Sequence, residues 1–332
     1  MPFVQLDRRA FIALAGGTAV SLVAPIIARA QPGDKVHRVG IIIGDTPVMA
    51  IGMPAFREAL RKLGFVQGRN LEIELKSAQQ DKAGLYAATA DLVRERTDVM
   101  VVGTAGSVDA AVAANPITPI VIWANNFDPI ERGYVKSLAR PGGRITGVFN
   151  RQPELAEKQV ELLKDAFPDR KQLGILWDDV SADQFAAAGR RARALGLEVV
   201  PIKFEHLPYD IPAAFRRLSD HSVQLLLVLS TPFFALYEHE IVQSTIANKL
   251  PAMFIFRTYV VSGGLMSYGV DIEASFRRVA DFVAKILNGA RPDELPVELP
   301  TQYLLVVNLK TAKAIGIELP TSILISADEV IE

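Results

Sequence analysis

From residue 36 onward, runs that are apolar at every position alternate with stretches whose apolar positions recur at helical spacing. The runs 39–43, 71–75, 99–102 and 120–123 are expected as strands, and 53–63, 82–96 and 108–114 as the helices between them. A strand that is apolar throughout, rather than at alternate positions, is covered on both faces. This order therefore predicts a parallel sheet with helices on either side. The same phrase then repeats, with strands expected at 173–177, 198–202, 225–229 and 252–256 and helices at 185–195, 213–218 and 234–248. Leu63-Gly64-Phe65 corresponds to Leu195-Gly196-Leu197, Val101-Val102-Gly103-Thr104 to Val228-Leu229-Ser230-Thr231, and Thr118-Pro119-Ile120 to Leu250-Pro251-Ala252. The recurrence implies two lobes of like topology.

The stretch 251–276 joins them. Its apolar run stops at Arg257, and a second burst at 265–268 follows the turn signal Ser262-Gly263-Gly264, which reads as strand, loop, strand. Beyond Gly269 the period changes: Phe276, Val279, Phe282, Val283, Ile286 and Leu287 fall on one face of a helix that Asp271 or Ser275 can cap. Ser267-Tyr268-Gly269 is expected to cross between lobes, where glycine permits hinge angles, although a plain strand end with a turn glycine fits the same residues. Another crossing is expected in the turn and apolar run 137–148, and a third at strand 303–308, ahead of a helix at 309–315 closed by Gly316. The expected division is a leader at 1–30, a first lobe of 36–148 with 270–300, and a second of 149–269 with 301–332. The fold class is α/β, with two doubly wound parallel-sheet lobes joined by three crossings. Such a molecule closes on a ligand by turning its hinges while each core stays packed.

Composition narrows the chemistry. The 332 residues, half of them apolar and 22% charged, exceed one ordinary domain. Cysteine is absent, which removes thiol catalysis, disulfides and a cysteine-built zinc site, and His37, His206, His221 and His239 do not fall at metal-ligand spacing. Arg8-Arg9 ahead of the apolar segment 11–27, with Ala28-Arg29-Ala30 at its end, reads as an export signal cleaved after Ala30, of twin-arginine or ordinary secretory type. Gly16, Gly17 and Pro25 break the segment too often for a spanning helix. The product is expected free in the periplasm or outside the cell, as a monomer. Losing Arg8, Arg9 and Arg29 against Asp7 tips the balance of 36 basic and 37 acidic residues further toward acid. With no basic run, nucleic acid is not an expected partner.

In open parallel sheets, ligands sit beyond the carboxyl ends of the strands. In the first lobe those ends carry Asp45 and Thr46, then Thr104, Gly106 and Ser107, then Asn125 and Asp128. In the second they carry Asp178 and Ser181, Ser230 and Thr231, and Arg257, with Tyr268 at the crossing. A helix starting in Thr104-Ala105-Gly106-Ser107 offers free backbone N–H groups to a carboxylate, and the same hydroxyls serve equally well as caps. Asp178-Asp179 suits an ammonium group or a solvated cap, and a metal less well. Trp123, Trp177, Phe127, Phe233 and Tyr268 lie near enough to the mouth to stack on a flat ligand, or belong to the core. Gly103-Thr104-Ala105-Gly106 does not match a dinucleotide fingerprint, and there is no P-loop lysine, nucleophile elbow or Ser-His-Asp order. No cofactor, metal or catalytic residue is assigned.

Several phrases together carry a family resemblance over essentially the whole mature chain. They are Phe56-Arg57-Glu58-Ala59-Leu60 with Leu63-Gly64-Phe65-Val66-Gln67-Gly68-Arg69-Asn70, the segment 137–147, Gly263-Gly264-Leu265-Met266-Ser267-Tyr268-Gly269, Asn308-Leu309-Lys310-Thr311-Ala312-Lys313-Ala314 and the terminal Ala327-Asp328-Glu329-Val330-Ile331-Glu332. The chain resembles the ABC transporter substrate-binding proteins, periplasmic components of ABC-type transport systems. The resemblance implies a type I periplasmic-binding fold, without enzymatic activity, that hands a small solute to a membrane permease. Some relatives are associated with aromatic amino acids. Trp123 and Ser230 depart from the residues expected at their positions, so ligand identity does not carry over. The expected ligand is a small carboxylate-bearing molecule, with or without an amine. A ligand-sensing module for a membrane receptor would use the same closing cleft, and an exported hydrolase is the remaining alternative.

Overall fold

The structure is a computed structural model that describes residues 35–42, 47–77, 82–114 and 117–332. The expected export signal, and the candidate site residues Asp45 and Thr46, lie outside the described residues. The chain opens with β1 (His37–Ile42), α1 (Pro47–Lys62), β2 (Leu71–Lys76), α2 (Lys82–Arg94), β3 (Val99–Val102), α3 (Ala105–Ala114), β4 (Ile120–Ala124) and β5 (Ile145–Phe149). It continues with α4 (Gln152–Ala166), β6 (Gln172–Trp177), α5 (Ala182–Ala194), β7 (Glu198–Lys203), α6 (Ile211–Asp220), β8 (Leu225–Val228), α7 (Glu238–Ala247), β9 (Ala252–Phe254), α8 (Arg257–Val261) and β10 (Met266–Val270). It ends with α9 (Ile272–Leu287), β11 (Val297–Glu298), β12 (Tyr303–Asn308), α10 (Leu309–Ile315), α11 (Thr321–Ser326) and β13 (Glu329–Ile331).

Among the described residues these strands make two sheets, one in the order β11-β5-β4-β3-β1-β2 and one in the order β13-β12-β10-β9-β8-β6-β7. The first is parallel throughout. In the second every pair is parallel except β10 with β12. The exception follows from connectivity: β10 leaves for the first sheet at its carboxyl end, and the chain returns through a short link to β12 at that same end, so β12 must run the other way.

The all-apolar runs become central strands because both of their faces are covered. In β4, Ile120, Ile122 and Ala124 join the core beneath α2 and α3, while Val121 and Trp123 point to the opposite core beneath α1 and α9. Helix α9 buries Phe276, Val279, Phe282, Val283 and Ile286, and its first turn is capped by Asp271, whose carboxylate accepts from the Ala274 N–H at 3.0 Å. The Phe276 ring meets Trp123 at 5.1 Å, so a helix from late in the chain completes the core of the first sheet.

Three links pass between the sheets: β5 to α4, β10 to α9 and β11 to β12. The strands of the first two each carry a glycine where a side chain has no room. A Cβ on Gly147 would lie 2.1 Å from the Ile122 carbonyl oxygen, and one on Gly269 would lie 2.0 Å from that of Ile255. Gly147 also adopts a φ of 138°, which other residues rarely reach.

The stretch expected as strand, loop, strand contains a short helix instead of the loop. Tyr259 in α8 stacks on Phe254 at 4.8 Å and is buried, so the chain must turn back immediately after β9, and helical turns do this within five residues. Among the described residues no helix is long and apolar enough to cross a membrane.

Candidate functional site

The carboxyl end of β4 meets that of β8 through a chain of buried amides. Asn125 accepts at Oδ1 from Asn150 Nδ2 at 2.9 Å and from Gln152 Nε2 at 2.6 Å, and donates through Nδ2 to Ser230 Oγ and Asn126 Oδ1, both at 3.0 Å. Ser230 is held from its own lobe as well. The Gln184 side chain receives the Ser230 N–H and donates to the Ser230 carbonyl, each at 3.0 Å, and Asn126 Nδ2 donates to the same carbonyl. Asn125, Asn150, Gln152, Gln184 and Ser230 are all buried. Buried amides persist only when their donors and acceptors are matched, so this alternation fixes which way each amide faces. Asn125, Asn126, Asn150 and Gln152 belong to the first sheet's strand ends and the first crossing, while Gln184 and Ser230 belong to the second sheet. The lobes are therefore hydrogen-bonded across their mouth.

Beside this contact lies a cavity of about 410 Å³ walled by Asn125, Phe127, Asp128 and Glu131 from the first lobe, by Asn150 to Glu154 at the crossing, and by Glu157, Asp183 and Arg190 from the second. Asp128 Oδ1 accepts from the N–H groups of Ile130 at 2.7 Å and Glu131 at 3.2 Å, which sets the turn after β4. Asp183 keeps one edge open to solvent, yet crowding by the cavity wall, and in lesser part the Asp128 charge, push its carboxyl above the usual aspartate range against the pull of the Gln184 N–H. A cavity of similar size flanks the second crossing, lined by Ile51, Ile255, Gly269, Asp271 and the ion pair of Arg257 with Glu329, whose two contacts measure 2.5 and 2.6 Å.

The remaining expected residues divide by what already engages them. Thr104 and Ser107 cap α3 reciprocally: the Thr104 N–H reaches Ser107 Oγ at 3.0 Å and the Ser107 N–H reaches Thr104 Oγ1 at 3.2 Å, with Gly106 between them against Leu85. Asp178 and Ser181 repeat the device in the second lobe. Asp178 Oδ1 accepts from the N–H groups of Val180 and Ser181, Ser181 Oγ accepts from the Asp178 N–H, and Asp178 Oδ2 accepts from the Tyr209 hydroxyl at 2.9 Å. Both Asp178 oxygens are thus engaged within the fold. Burial, and after it the Asp178 charge, push the Tyr209 phenol well above its ordinary range. Asp179 pairs with Lys203 at 2.8 Å. Thr231 Oγ1 accepts from the N–H groups of Phe233 and Phe234 and so starts the turn ahead of α7.

The aromatic candidates are paired with other rings. Trp123 packs on Phe276, Trp177 stacks on Phe185 at 4.3 Å, Phe127 sits edge-on to Tyr134 at 5.7 Å, Phe233 faces Tyr209 at 6.3 Å, and Tyr268 stacks on Tyr303 at 6.1 Å. The Tyr268 carbonyl accepts from Gln159 Nε2 at 2.7 Å, which fastens the second crossing strand to α4. Asn126, Asn150, Gln152, Asp183 and Gln184 join the site without having been expected there. Their one sequence signal is position, since Asn150 and Gln152 directly follow a crossing strand and Asn126 follows Asn125.

The chain matches the family described as ABC transporter substrate binding protein over residues 39–331. It is 26% identical over 294 residues to a tyrosine-binding protein of Clostridioides difficile, covering 86% of this chain and 82% of that protein. Among solved structures, a conserved domain protein from Vibrio cholerae superposes with a TM-score of 0.81 at 26% identity, covering 89% of this chain and 100% of the other. A Streptococcus pneumonia ABC domain in complex with L-Trp does so with a TM-score of 0.79 at 25% identity, covering 90% and 100%. A ligand-free, open structure of a Clostridium difficile substrate binding protein with adhesive properties superposes with a TM-score of 0.67 at 24% identity, covering 90% and 99%.

Proposed function

Because the chain belongs to the ABC transporter substrate-binding protein family, we propose that it captures an amino acid with a flat side chain between its two sheets. It then closes by rotation at the three crossings and presents the closed form to a membrane permease. The observation that carries this reading is the hydrogen bonding of Asn125 and Asn126 to Ser230 across the mouth. Buried amides of one lobe that find their partners on the other provide a closed state in which a ligand is shielded from water. Support also comes from the superpositions. At near-equal identity and coverage, the chain lies nearer the complex with L-Trp, TM-score 0.79, than the ligand-free open form, TM-score 0.67.

The ligand carboxylate docks at the start of α3, where Thr104 and Ser107 hold the first turn rigid and the N–H groups of the neighbouring positions carry the positive end of the helix dipole. The protein works as a monomer outside the cytoplasmic membrane after residues 1–30 are removed, and carries out no turnover. Relatives whose names or complexes specify tyrosine and L-Trp support an aromatic amino acid. Titration calorimetry with L-tyrosine and L-tryptophan, combined with small-angle scattering, tests the reading. Saturable binding with a fall in radius of gyration is expected, whereas binding without compaction removes hinge closure and no binding to either removes the ligand class.

A further inference from the structure

The cavity beside the amide chain carries an imbalance that the fold itself does not explain. Its wall holds five carboxylates, those of Asp128, Glu131, Glu154, Glu157 and Asp183, against the guanidinium groups of Arg151 and Arg190. The two arginines already face Glu154 and Glu157, at 3.8 and 3.5 Å. Asp128 from the first lobe and Asp183 from the second are left as like charges on opposite sides of one space, close enough that each carboxylate disfavours charge on the other.

A second observation is independent of the acids. Asn150, 1% exposed, donates its Nδ2 to Asn125, which turns its Oδ1 the other way, and that oxygen is buried with no hydrogen-bond partner. The amide cannot simply be reversed, because Asn125 Oδ1 also takes the Gln152 Nε2 donor and would then face a second oxygen. A buried acceptor without a donor is costly, and its natural complement is a group with N–H bonds to give.

We propose that this cavity takes the ammonium group of the ligand, held by Asp128, Asp183 and the Asn150 amide oxygen. The proposal rests on the amino-acid reading given above. An ammonium group has three donors and one positive charge, which satisfies the amide oxygen and neutralises the facing aspartates together. Asp128 and Asp183 come from different lobes, so the same contact makes closure conditional on a cation: without one, bringing the lobes together also brings the two carboxylates together. The site thereby selects amino acids over the corresponding deaminated acids. It also accounts for Asp178, whose oxygens are taken up by Tyr209 and its own turn, taking no part in amine recognition.

The test measures binding of L-tyrosine, its deaminated analogue hydroxyphenylpropionate, and calcium or magnesium to the mature chain and to D128N and D183N. The unchanged protein is expected to bind tyrosine at least about tenfold tighter than the deaminated acid, on the scale of a charge-assisted contact. Each variant should weaken tyrosine binding by about tenfold and leave the deaminated acid unaffected. Unliganded melting temperatures close to that of the unchanged protein show that the variants fold; if one does not, the other decides. Equal affinity for the two compounds, or retention of the preference in both variants, overturns the ammonium site while leaving an aromatic carboxylate ligand in place. Stabilisation by the divalent cations as large as that by tyrosine reassigns the cavity to a metal and overturns it too. If the unchanged protein binds neither tyrosine nor tryptophan, the amino-acid reading itself falls and the ammonium site falls with it.

Discussion

At the first crossing the chain leaves β5 through Asn150 and Gln152, whose amides both reach across to Asn125; at the second it leaves β10 through Asp271, whose carboxylate turns back onto its own helix at Ala274. Helix α4 accordingly begins without a side-chain cap, with Pro153 in its first turn, where the missing N–H costs nothing. Helix α9 begins fully capped. The two passages thus have comparable strand geometry and opposite uses of their side chains. On the first, the polar groups next to the pivot belong to the mouth, so any turn of the backbone there disturbs the contact between lobes. On the second the pivot is self-contained, and the cleft does not register its side chains.

The largest effect is expected where the two crossings are most alike. Replacing Gly147 with Ala forces a methyl group into the backbone of β4 and an unfavourable φ besides, and should cost about 3 kcal/mol or more, read as a fall in melting temperature or a failure to fold. Gly269→Ala meets a similar collision with Ile255, but that residue lies just past the end of β9 and can give way. A smaller loss than at Gly147 is expected, and an equal or larger one would break the comparison.

Next comes the difference in use. Gln152→Leu should lower stability by about 1–2 kcal/mol and weaken ligand binding as well, because Asn125 loses a donor at the mouth. Asp271→Ala should lower stability by about 1 kcal/mol, the usual value of a helix cap, and leave affinity unchanged. If affinity tracks Asp271 instead of Gln152 in calorimetry, the assignment of roles is reversed. The smallest effect belongs to Arg257 and Glu329, whose pair is well exposed on both sides, so Arg257→Gln should cost less than about 1 kcal/mol. The Arg257 contact holds the Glu329 carboxyl below its usual range, so whatever it contributes is present at neutral pH and fades as the pH falls through that lowered value. Chemical denaturation of both forms across acid pH should show the difference shrinking to nothing.

Much of the scaffold was readable in advance because burial on both faces leaves an unmistakable signature. Val99–Val102 and Ile120–Ala124 are apolar at every position and buried at every position. The period of α9 announces its buried face, and Asp271 its start. Elements defined by what they meet were harder to see. Two-residue β11 exists because Val297 and Glu298 lie alongside Gly147 and Val148, and nothing local distinguishes them. Helix α4 buries Gln152 and Gln159 on its apolar face, which blurs the stripe, and it went unassigned. The mouth was legible only in part. Strand ends pointed to Asn125 and Ser230, but Asn150 and Gln184 take their places through amide pairing across long stretches of chain, and an amide in sequence does not reveal its partner. Asp178 shows the converse, since a carboxylate at a strand end looks the same whether it awaits a ligand or holds a turn.

The packing of α9 against Trp123 and α1 has a consequence for the order in which the molecule comes into being. Phe276 and Val279 share a core with Met53 and Phe56, and the first sheet acquires its last strand only at Val297–Glu298, fastened by Thr146 Oγ1 to the carbonyls of Leu295 and Pro296. A nascent chain halted at residue 270 would carry the second sheet's strands through β10, yet leave the α1 side of its earlier-made sheet bare. The half that is synthesised first is therefore the half that must wait, its apolar face open to chaperones and proteases until nearly the whole chain has emerged. Protease digestion of chains ending at residue 270 should cut within the first half and spare the second, and resistance should return once the chain extends past residue 298.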